Sequence, residues 1–301
     1  MRIGIDIGGS HVGIGLIDKA GKIVRKEEKD LVAATKKNNY DKTLVSTIID
    51  LMTKILKKEN VDITKIELIG IAVPGTVSET HIVKAENLHI KNFNIVAEIN
   101  KYFNIPIQLR NDAKCAAVAE KMYGSLSDSQ DAVFLTIGTG IGGAVFLGDK
   151  LLRPKKFEGF EIGHMVIKKG GIRCNCGSQG CFERYASIRV LKEKLSKLYK
   201  KELTILELKE ILLNVEKNNK VKRIVEDYIE NLSIGIANLI NIFEPEKISL
   251  GGSFAYYKAQ LLPRLKDALS NGNLLFNDGE LPEIVVAKLK NDAGIIGSVI
   301  K

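Results

Sequence analysis

Two stretches of this chain share one plan, in which two strands of alternating hydrophobicity flank a glycine-rich turn. The first, at residues 2–18, reads RIGIDIGGSHVGIGLID, and the second, at 132–149, reads AVFLTIGTGIGGAVFLGD. Apolar residues at every second position predict strands, and the glycines between them predict hairpin turns. The repetition of this plan predicts an internal duplication of architecture and therefore an α/β chain with two related lobes.

Two lobes of ordinary domain size suit a chain of 301 residues, of which 45% are hydrophobic, better than one compact unit does. We expect an N-terminal lobe at residues 1–113, completed by a C-terminal helix at about 290–301. The C-terminal lobe is expected at residues 114–289. A cleft between the two lobes is the expected place for an active site.

Hydrophobic periodicity predicts the remaining elements. In the first lobe it predicts strands in KIVRKEE, IELIGIAVPG and IPIQLR, and helices over 41–58 and near 93–103. In the second lobe it predicts strands in KISLGG and EIVVAK, and helices over 187–200, 204–213, 219–243 and 254–270. The last predicted helix, DAGIIGSVI, is the C-terminal helix that completes the first lobe. Residues 157–182 lack periodicity and are rich in glycine and cysteine, which is typical of a functional loop or of a loop held by a metal.

The formal net charge of +9 comes mainly from lysines spread over predicted helix surfaces, as in LKEKLSKLYKK at 191–201. Few aromatic residues accompany these lysines and tryptophan is absent, so the pattern favours solvated helix faces over a nucleic-acid partner. No apolar run approaches the roughly 18 residues of a membrane span, and no signal peptide follows Met1. We therefore expect a cytoplasmic protein with neither a nucleic-acid nor a membrane partner.

Both glycine turns have the chemistry of a phosphate-binding turn, because glycine lets backbone N–H groups approach phosphate oxygens. In DIGGSHVG, Asp6 can hold Mg²⁺ through water and the Ser10 hydroxyl can contact a phosphate. TIGTGIGG at 136–143 repeats this arrangement, and LGGS at 250–253 offers backbone to an adenosine. Alone, either turn is more typical of a structural hairpin. Two turns at matching positions favour a bound triphosphate, in a chain without P-loop or dinucleotide-binding patterns.

The sequence Arg110-Asn111-Asp112-Ala113 lies where a predicted strand ends and a helix ending at Gly124 begins. Asn111 or Asp112 can simply cap this helix. Alternatively, Asp112 lies at the carboxyl edge of a sheet, where ligand sites of α/β folds gather. There its carboxylate can accept the proton of a hydroxyl group that attacks a γ-phosphate.

His164 is followed by Cys174, Cys176 and Cys181 in the motifs EIGH and CNCGSQGC. One imidazole and three thiolates form a closed tetrahedral set for Zn²⁺, which predicts a structural zinc with no open position for catalysis. Free buried cysteines are the alternative for this cluster, and a small core residue is the interpretation of the isolated Cys115. Glu161 and Glu183 bracket the loop, which can hold both carboxylates in place for a ligand. Taken singly, each glutamate is more typical of a solvated surface residue.

Together these motifs resemble those of the ROK family (repressors, uncharacterised reading frames and kinases). The matching stretches are DIGGSHVG, AVPG, RNDA, TIGTGIGG, EIGH, CNCGSQGCFE and LGGS, in the family's order and over essentially the whole chain. The resemblance implies a two-lobed actin-like ATPase (ribonuclease H-like) fold with the active site in the interlobe cleft. It also implies ATP, Mg²⁺ and a sugar as ligands, and a homodimer or homotetramer.

Carried over position by position, the resemblance makes Asp112 the catalytic base that activates a sugar hydroxyl, usually the one on C6. The residues that it places at the sugar are Gly75, Asn111, Asp112, Glu161, His164 and Glu183, with His164 also binding zinc. The residues that it places at the nucleotide are Asp6, Gly8, Gly9, Ser10, Gly138, Thr139, Gly140, Gly251 and Gly252. Family members commonly have Thr and Lys where this chain has Ser10 and His11, and Gly in place of Ala144.

The resemblance therefore implies an ATP-dependent hexose kinase, with glucose as the first substrate and N-acetylmannosamine, fructose or mannose as alternatives. A sugar-responsive ROK repressor is the alternative from a different class. It is disfavoured because the first glycine hairpin begins at residue 3, which leaves no room for a preceding helix-turn-helix. A sugar-binding protein without catalysis is the remaining alternative.

Overall fold

The computed structural model describes residues 1–9, 11–31, 40–153, 161–272, 274–276 and 280–301, without the side chains of Tyr40 and Asn87. The described chain forms two compact units. The N-terminal unit comprises Met1–Tyr123 and Asn291–Lys301, and the C-terminal unit comprises Gly124–Leu152 and Glu161–Lys290. The helix Asp112–Tyr123 lies entirely within the N-terminal unit. A lobe boundary at residue 113, as predicted, would divide this helix.

The strands and helices alternate as in an α/β chain. Up to Tyr123 they are β1 (Arg2–Ile7), β2 (His11–Ile17), β3 (Ile23–Asp30), α1 (Tyr40–Lys58), β4 (Leu68–Val73), β5 (Thr76–Val77), β6 (Ile82–Ala85), β7 (Ile90–Phe93), α2 (Ile95–Asn100), β8 (Ile107–Asn111) and α3 (Asp112–Tyr123). After Tyr123 they are β9 (Ala132–Ile137), β10 (Ile141–Leu147), β11 (Lys150–Leu151), α4 (Glu183–Ala186), α5 (Ile188–Tyr199), α6 (Ile205–Leu213), α7 (Asn219–Phe243), β12 (Lys247–Gly251), α8 (Lys258–Asn271), β13 (Glu283–Val286) and α9 (Ala293–Ser298).

Each unit contains a five-stranded sheet, and the two sheets have the same topology. The strand order is β3-β2-β1-β4-β8 in the N-terminal unit and β11-β10-β9-β12-β13 in the C-terminal unit. In both sheets the first three strands pair antiparallel and the last three pair parallel. The predicted duplication of architecture is therefore confirmed.

Each sheet is covered by helices that bury a periodic apolar face. In the N-terminal unit, α1 contacts β2 and β3 and buries Leu44, Ile48 and Ile55. In the C-terminal unit, α7 contacts α4, α5 and α8 and buries Tyr228 and Leu232. Full burial of one such side chain contributes roughly 1.5–3 kcal/mol, so these faces explain why both helices form where their periodicity predicts them.

Two parts of the secondary structure differ from the prediction. A small antiparallel sheet, β5-β6-β7, occupies a stretch for which no strands were predicted. Its strands have two to four residues, which is too short to show a clear alternation of hydrophobicity. The helix predicted over 254–270 begins later, since Gly252–Tyr257 forms a 3₁₀ helix ahead of α8; the two helix types are difficult to distinguish by local pattern.

The last helix, α9, belongs to the N-terminal unit and packs closely on its sheet and on α3. The contacts depend on glycine, since a β-carbon at Gly70 would collide with the carbonyl of Ser298, and one at Gly297 with the carbonyl of Cys115. The segment after α9 is held by Arg110, whose Nη1 donates to the carbonyl of Ile300 at 2.6 Å. The end of the chain is thus fixed beside the carboxyl edge of β8.

We expect Gly297→Ala to lower the free energy of unfolding by roughly 1–3 kcal/mol, because the added methyl group cannot fit against α3. Within a helix, alanine is otherwise favoured over glycine by about 1 kcal/mol, so the loss would identify the collision. Gly138→Ala is the matched control, since its β-carbon would meet nothing closer than 3.6 Å. Urea unfolding of both variants measures the effect, and equal stabilities would contradict the packing described for α9.

Candidate active site and metal centre

Two carboxylates lie at the carboxyl edge of the N-terminal sheet. Asp6 is near the end of β1, and Asp112 is the first residue of α3, directly after β8. Strands β1, β4 and β8 run parallel, so their carboxyl ends meet at one edge, where α/β folds bind ligands. The strand-to-helix position predicted for Asp112 is confirmed.

The junction at Asp112 is held by the preceding residue, Asn111. Its Oδ1 accepts a hydrogen bond from the backbone N–H of Lys114 at 3.2 Å, which caps α3. Its Nδ2 donates to the carbonyl of Gly75 at 3.0 Å and so ties the Pro-Gly turn to the same place. Gly75 has a φ of +96°, a conformation that suits glycine. Asn111 thus caps α3, while Oδ1 of Asp112 accepts a hydrogen bond from the N–H of Ala113 at 2.8 Å.

The two carboxylates influence one another electrostatically. Burial, followed by the negative charge of Asp112, raises the pKa of Asp6 from 3.8 to about 7. The positive charge of Lys26 lowers the pKa of Asp6. The same ammonium group forms ion pairs with Asp292 at 2.7 Å and with Glu28 at 2.6 Å. A positive charge bound beside Asp6 would favour its ionised form and lower this pKa.

The first glycine turn follows β1 directly. The N–H of Gly8 donates to the carbonyl of His11 at 2.8 Å and closes the turn. The imidazole of His11 lies over Gly8, where a β-carbon would be 2.7 Å from its Cε1. Apart from its chain neighbours, no described residue has an atom within 4 Å of a β-carbon placed at Gly9. Ser10, predicted to contact a phosphate, lies outside the described residues.

The second glycine turn connects β9 and β10 in the C-terminal unit. It is closed by a hydrogen bond of 2.9 Å from the N–H of Gly138 to the carbonyl of Gly140. Gly252 follows β12 with a φ of +67° and lies against Thr136, so that a β-carbon there would be 2.8 Å from its Oγ1. The structure therefore brings together Gly138, Thr139, Gly140, Gly251 and Gly252, the residues predicted for the nucleotide in this unit.

The EIGH motif packs on this second turn. It forms a 3₁₀ helix, Ile162–His164, which contacts β10. A β-carbon at Gly163 would collide with the carbonyl of Ile141, so glycine permits the approach. Glu161 precedes the helix and is exposed, which leaves its carboxylate accessible to a ligand.

His164, Cys174, Cys176 and Cys181 converge in the C-terminal unit, with one potential ligand atom of each within 4.8 Å of all the others. One imidazole nitrogen and three sulfurs are the donor set of a structural zinc site. The isolated Cys115 is buried in the other unit, which confirms its interpretation as a core residue. The four clustered residues fit a tetrahedral metal ion in both number and chemistry.

The thiols of the cluster differ in acidity. Burial raises the pKa of Cys174 and of Cys181. A hydrogen bond from the backbone of Ser178 lowers the pKa of Cys176, which is also exposed. Metals bind the thiolate form, which is favoured more at Cys176 than at the other two thiols of the cluster.

Glu183 lies between the cluster and the second glycine turn. Its Oε1 is 3.3 Å from the Sγ of Cys174 and 3.8 Å from the Nδ1 of His164. Its Oε2 would be 2.5 Å from a β-carbon at Gly140. The structure thus joins three motifs that are far apart in the sequence.

The sequence did not indicate two residues of these sites. Gly294 of α9 lies against Asp6, where a β-carbon would be 2.6 Å from the carboxylate carbon. Arg189 donates from Nε to the carbonyl of Thr139 at 2.8 Å. Arg189 could have been noticed, because a cation in the first turn of a helix opposes the helix dipole; the position of Gly294 depends on a long-range contact without a local signal.

We expect Asp6→Asn to change how stability depends on pH. Asp6 keeps its proton in the folded chain up to about pH 7, whereas the unfolded chain loses it near pH 3.8. The free energy of unfolding should therefore fall as pH rises through this window, by on the order of 2–4 kcal/mol for this group. An amide does not titrate, so the variant should lack this fall.

Urea unfolding between pH 4 and 7.5, without nucleotide or Mg²⁺, measures this difference. Asp50→Asn, an exposed carboxylate on α1, is the control and should follow the unaltered protein. Parallel curves for Asp6→Asn and the unaltered protein would show that Asp6 titrates normally.

Among the described residues, no helix is both long and apolar enough to cross a membrane.

Comparison with known proteins gives a consistent family. A sequence model of the ROK family matches residues 2–300. The chain is 29% identical to a glucokinase from Thermotoga maritima, over 99% of this chain and 96% of that protein. It is 28% identical to a xylose repressor from Caldicellulosiruptor bescii, over 99% of this chain and 76% of the repressor.

Solved structures show the same fold. A ROK hexokinase from Thermus thermophilus superposes with a TM-score of 0.80 at 27% identity, covering 99% of this chain and 96% of that one. The two-lobed actin-like ATPase fold is therefore confirmed, in agreement with the duplicated sheet topology. From its family match and its fold, this chain belongs to the ROK family.

Proposed function

We propose that this protein transfers the γ-phosphoryl group of ATP to the C6 hydroxyl of a hexose, with glucose as the preferred substrate. The observation that carries the proposal is the carboxylate of Asp112, which lies at the carboxyl edge of the sheet while Asn111 caps its helix. A carboxylate at this place can receive the proton of an attacking hydroxyl group. The likeness to a glucokinase and to a hexokinase supports a sugar as acceptor.

Asp112 acts as the general base in this proposal. Phosphoryl transfer depends mainly on positioning and on stabilisation of negative charge, so the base needs only to orient the hydroxyl and accept its proton. Asp6 would hold Mg²⁺ through water, which neutralises phosphate charge. The position of Asp6 near the end of β1, at the same sheet edge as Asp112, supports this role, because Mg²⁺ is held by carboxylate oxygens and water.

The glycine turns would bind the nucleotide through backbone N–H groups. Gly8, Gly9 and Ser10 would contact phosphates from the first turn. The contacts proposed for the C-terminal unit are Gly138, Thr139, Gly140, Gly251 and Gly252. Their convergence around the ends of β9 and β12 supports this assignment.

Each unit contains polar groups that we propose as sugar contacts. In the N-terminal unit Asn111 and the Pro-Gly turn at Gly75 are bonded to each other beside Asp112. In the C-terminal unit Glu161, His164 and Glu183 would bind hydroxyl groups. Carboxylates and imidazoles suit the many hydroxyl groups of a hexose, and their placement distinguishes one epimer from another.

We propose that His164, Cys174, Cys176 and Cys181 hold a structural Zn²⁺. The ion would hold in place the loop that leads into Glu183 at the start of α4. With four protein ligands it would have no open coordination position for catalysis. The donor set and its convergence support this role. A homodimer or homotetramer in the cytoplasm, where ATP is available, completes the proposal.

Two alternatives remain open. N-acetylmannosamine, fructose or mannose could replace glucose, since epimers differ in one hydroxyl group and the fold is common to such kinases. Sugar binding in a repressor, without phosphoryl transfer, is favoured by the 28% identity to a xylose repressor. Turnover of ATP separates a kinase from a sugar-responsive regulator.

A coupled assay for ADP release tests the proposal with glucose, mannose, fructose, N-acetylmannosamine and N-acetylglucosamine. We expect release that depends on sugar and is fastest with glucose. Asp112→Asn should lower kcat by about 10²–10⁴-fold, because an amide cannot accept the hydroxyl proton, while sugar affinity is retained. Asp50→Asn serves as the control. No sugar-dependent release by the unaltered protein would contradict kinase activity, and normal kcat in Asp112→Asn would contradict the base.

Metal analysis tests the zinc. We expect about one zinc ion per chain, and its loss in Cys176→Ala, because three ligands no longer close the tetrahedral site. Sugar affinity should also fall in this variant, since the loop with Glu183 loosens. Cys115→Ala, which lies outside the cluster, should keep its metal. An unaltered protein purified without added chelator and found free of zinc would contradict the assignment.

A further inference from the structure

Arg189 forms two hydrogen bonds to the backbone of the second glycine turn. Its backbone N–H donates to the carbonyl of Gly138 at 3.1 Å, and its side-chain Nε donates to the carbonyl of Thr139 at 2.8 Å. One residue of α5 therefore binds two successive carbonyl groups of the turn. These bonds fix the orientation of two neighbouring peptide planes.

The helix itself does not explain an arginine at this position. Ser187 caps α5 and accepts from the N–H of Val190, so Arg189 lies in the first helical turn. A positive charge is unfavourable there because it faces the positive end of the helix dipole. The ion pair of Arg189 with Glu193, at 3.7 Å, is solvent-exposed and contributes little. The two hydrogen bonds to the glycine turn therefore explain an arginine at this position better than the ion pair does.

Fixing these carbonyls also fixes the N–H groups that follow them. In a planar trans peptide the C=O and the next N–H point in opposite directions. The carbonyls of Gly138 and Thr139 point towards Arg189, so the N–H groups of Thr139 and Gly140 point away from it. Successive N–H groups with a common direction form an anion-binding concavity.

The positive charge of Arg189, like the orientation that it imposes on the turn, favours an anion at the N–H groups. A guanidinium bonded to a carbonyl polarises that peptide, and polarised peptides donate more strongly from their N–H groups. The N–H of Gly140, which belongs to the same peptide as the carbonyl of Thr139, is therefore strengthened as a donor. Arg189 can favour a phosphate without touching it.

We infer that Arg189 is a positioning residue for the nucleotide, which orients the N–H groups of Thr139 and Gly140 towards a phosphate group. The inference rests on the proposed function, because it assigns ATP to this turn. It adds a residue of α5 that acts through the backbone of the second glycine turn. Its loss should weaken the binding of ATP and leave the binding of sugar unchanged.

Two substitutions of equal length separate the hydrogen bond from the bulk of the side chain. In Arg189→Gln the Nε2 atom is as many bonds from the backbone as the Nε of arginine, so it can donate to the carbonyl of Thr139. In Arg189→Met the corresponding atom is a methyl carbon, which cannot donate. Arg189 is 33% exposed in its side chain, so neither change creates a buried cavity.

Calorimetric titration with Mg²⁺ and a non-hydrolysable ATP analogue provides the test, with glucose titrated in parallel. Arg189→Met should weaken binding of the analogue about tenfold, as expected for loss of a bond from a charged donor. Arg189→Gln should restore it to within about threefold of the unaltered protein, since a neutral donor keeps the orientation but lacks the charge. Glucose affinity should stay the same in both. Glu193→Gln removes the other partner of Arg189 and should bind the analogue normally.

The outcomes distinguish the inference from the proposed function. Equal affinity for the analogue in Arg189→Met and the unaltered protein would overturn the inference alone. A Met variant that loses stability and glucose affinity together would also overturn it, because a purely structural role has that result. If the unaltered protein binds no analogue, the proposed function fails and the inference fails with it.

Discussion

The close packing of α9 on the N-terminal sheet is the constraint on which the candidate site depends. This helix approaches β4 and α3 closely because glycine lies at both contacts. Gly70 of β4 faces the backbone of α9, and Gly297 of α9 faces the backbone of α3. Gly294, at the start of the same helix, lies against Asp6. The helix that begins with Asp112 and the strand that carries Asp6 are thereby held by one element from the end of the chain.

The result is a pair of carboxylates that opposes full ionisation at neutral pH. Burial and the charge of Asp112 raise the pKa of Asp6 to about 7, so ionising both carboxylates costs free energy. Under the proposed function, Mg²⁺ bound with ATP would lower this cost. In the C-terminal unit the second glycine turn lies against Glu183, which also contacts Cys174 of the cluster, and accepts a hydrogen bond from Arg189.

Much of this arrangement could be predicted from local sequence. The alternation around the glycine turns predicted both hairpins, and the spacing of His164 and the cysteines predicted their convergence. Strands of two to four residues gave too little periodicity to be recognised. Contacts such as Gly294 with Asp6, or Arg189 with Thr139, join residues far apart in the chain, and no local pattern encodes them. The roles of Asp112 and of the sugar and nucleotide contacts stay predictions.

The most direct test is a crystal structure of the protein with glucose, Mg²⁺ and a non-hydrolysable ATP analogue. The account predicts a carboxylate oxygen of Asp112 within about 2.6–3.2 Å of the sugar hydroxyl that faces the γ-phosphate. A bound sugar with no hydroxyl group near Asp112 would contradict the account. In that result the carboxylate would keep only the hydrogen bond that it accepts from the N–H of Ala113 at 2.8 Å.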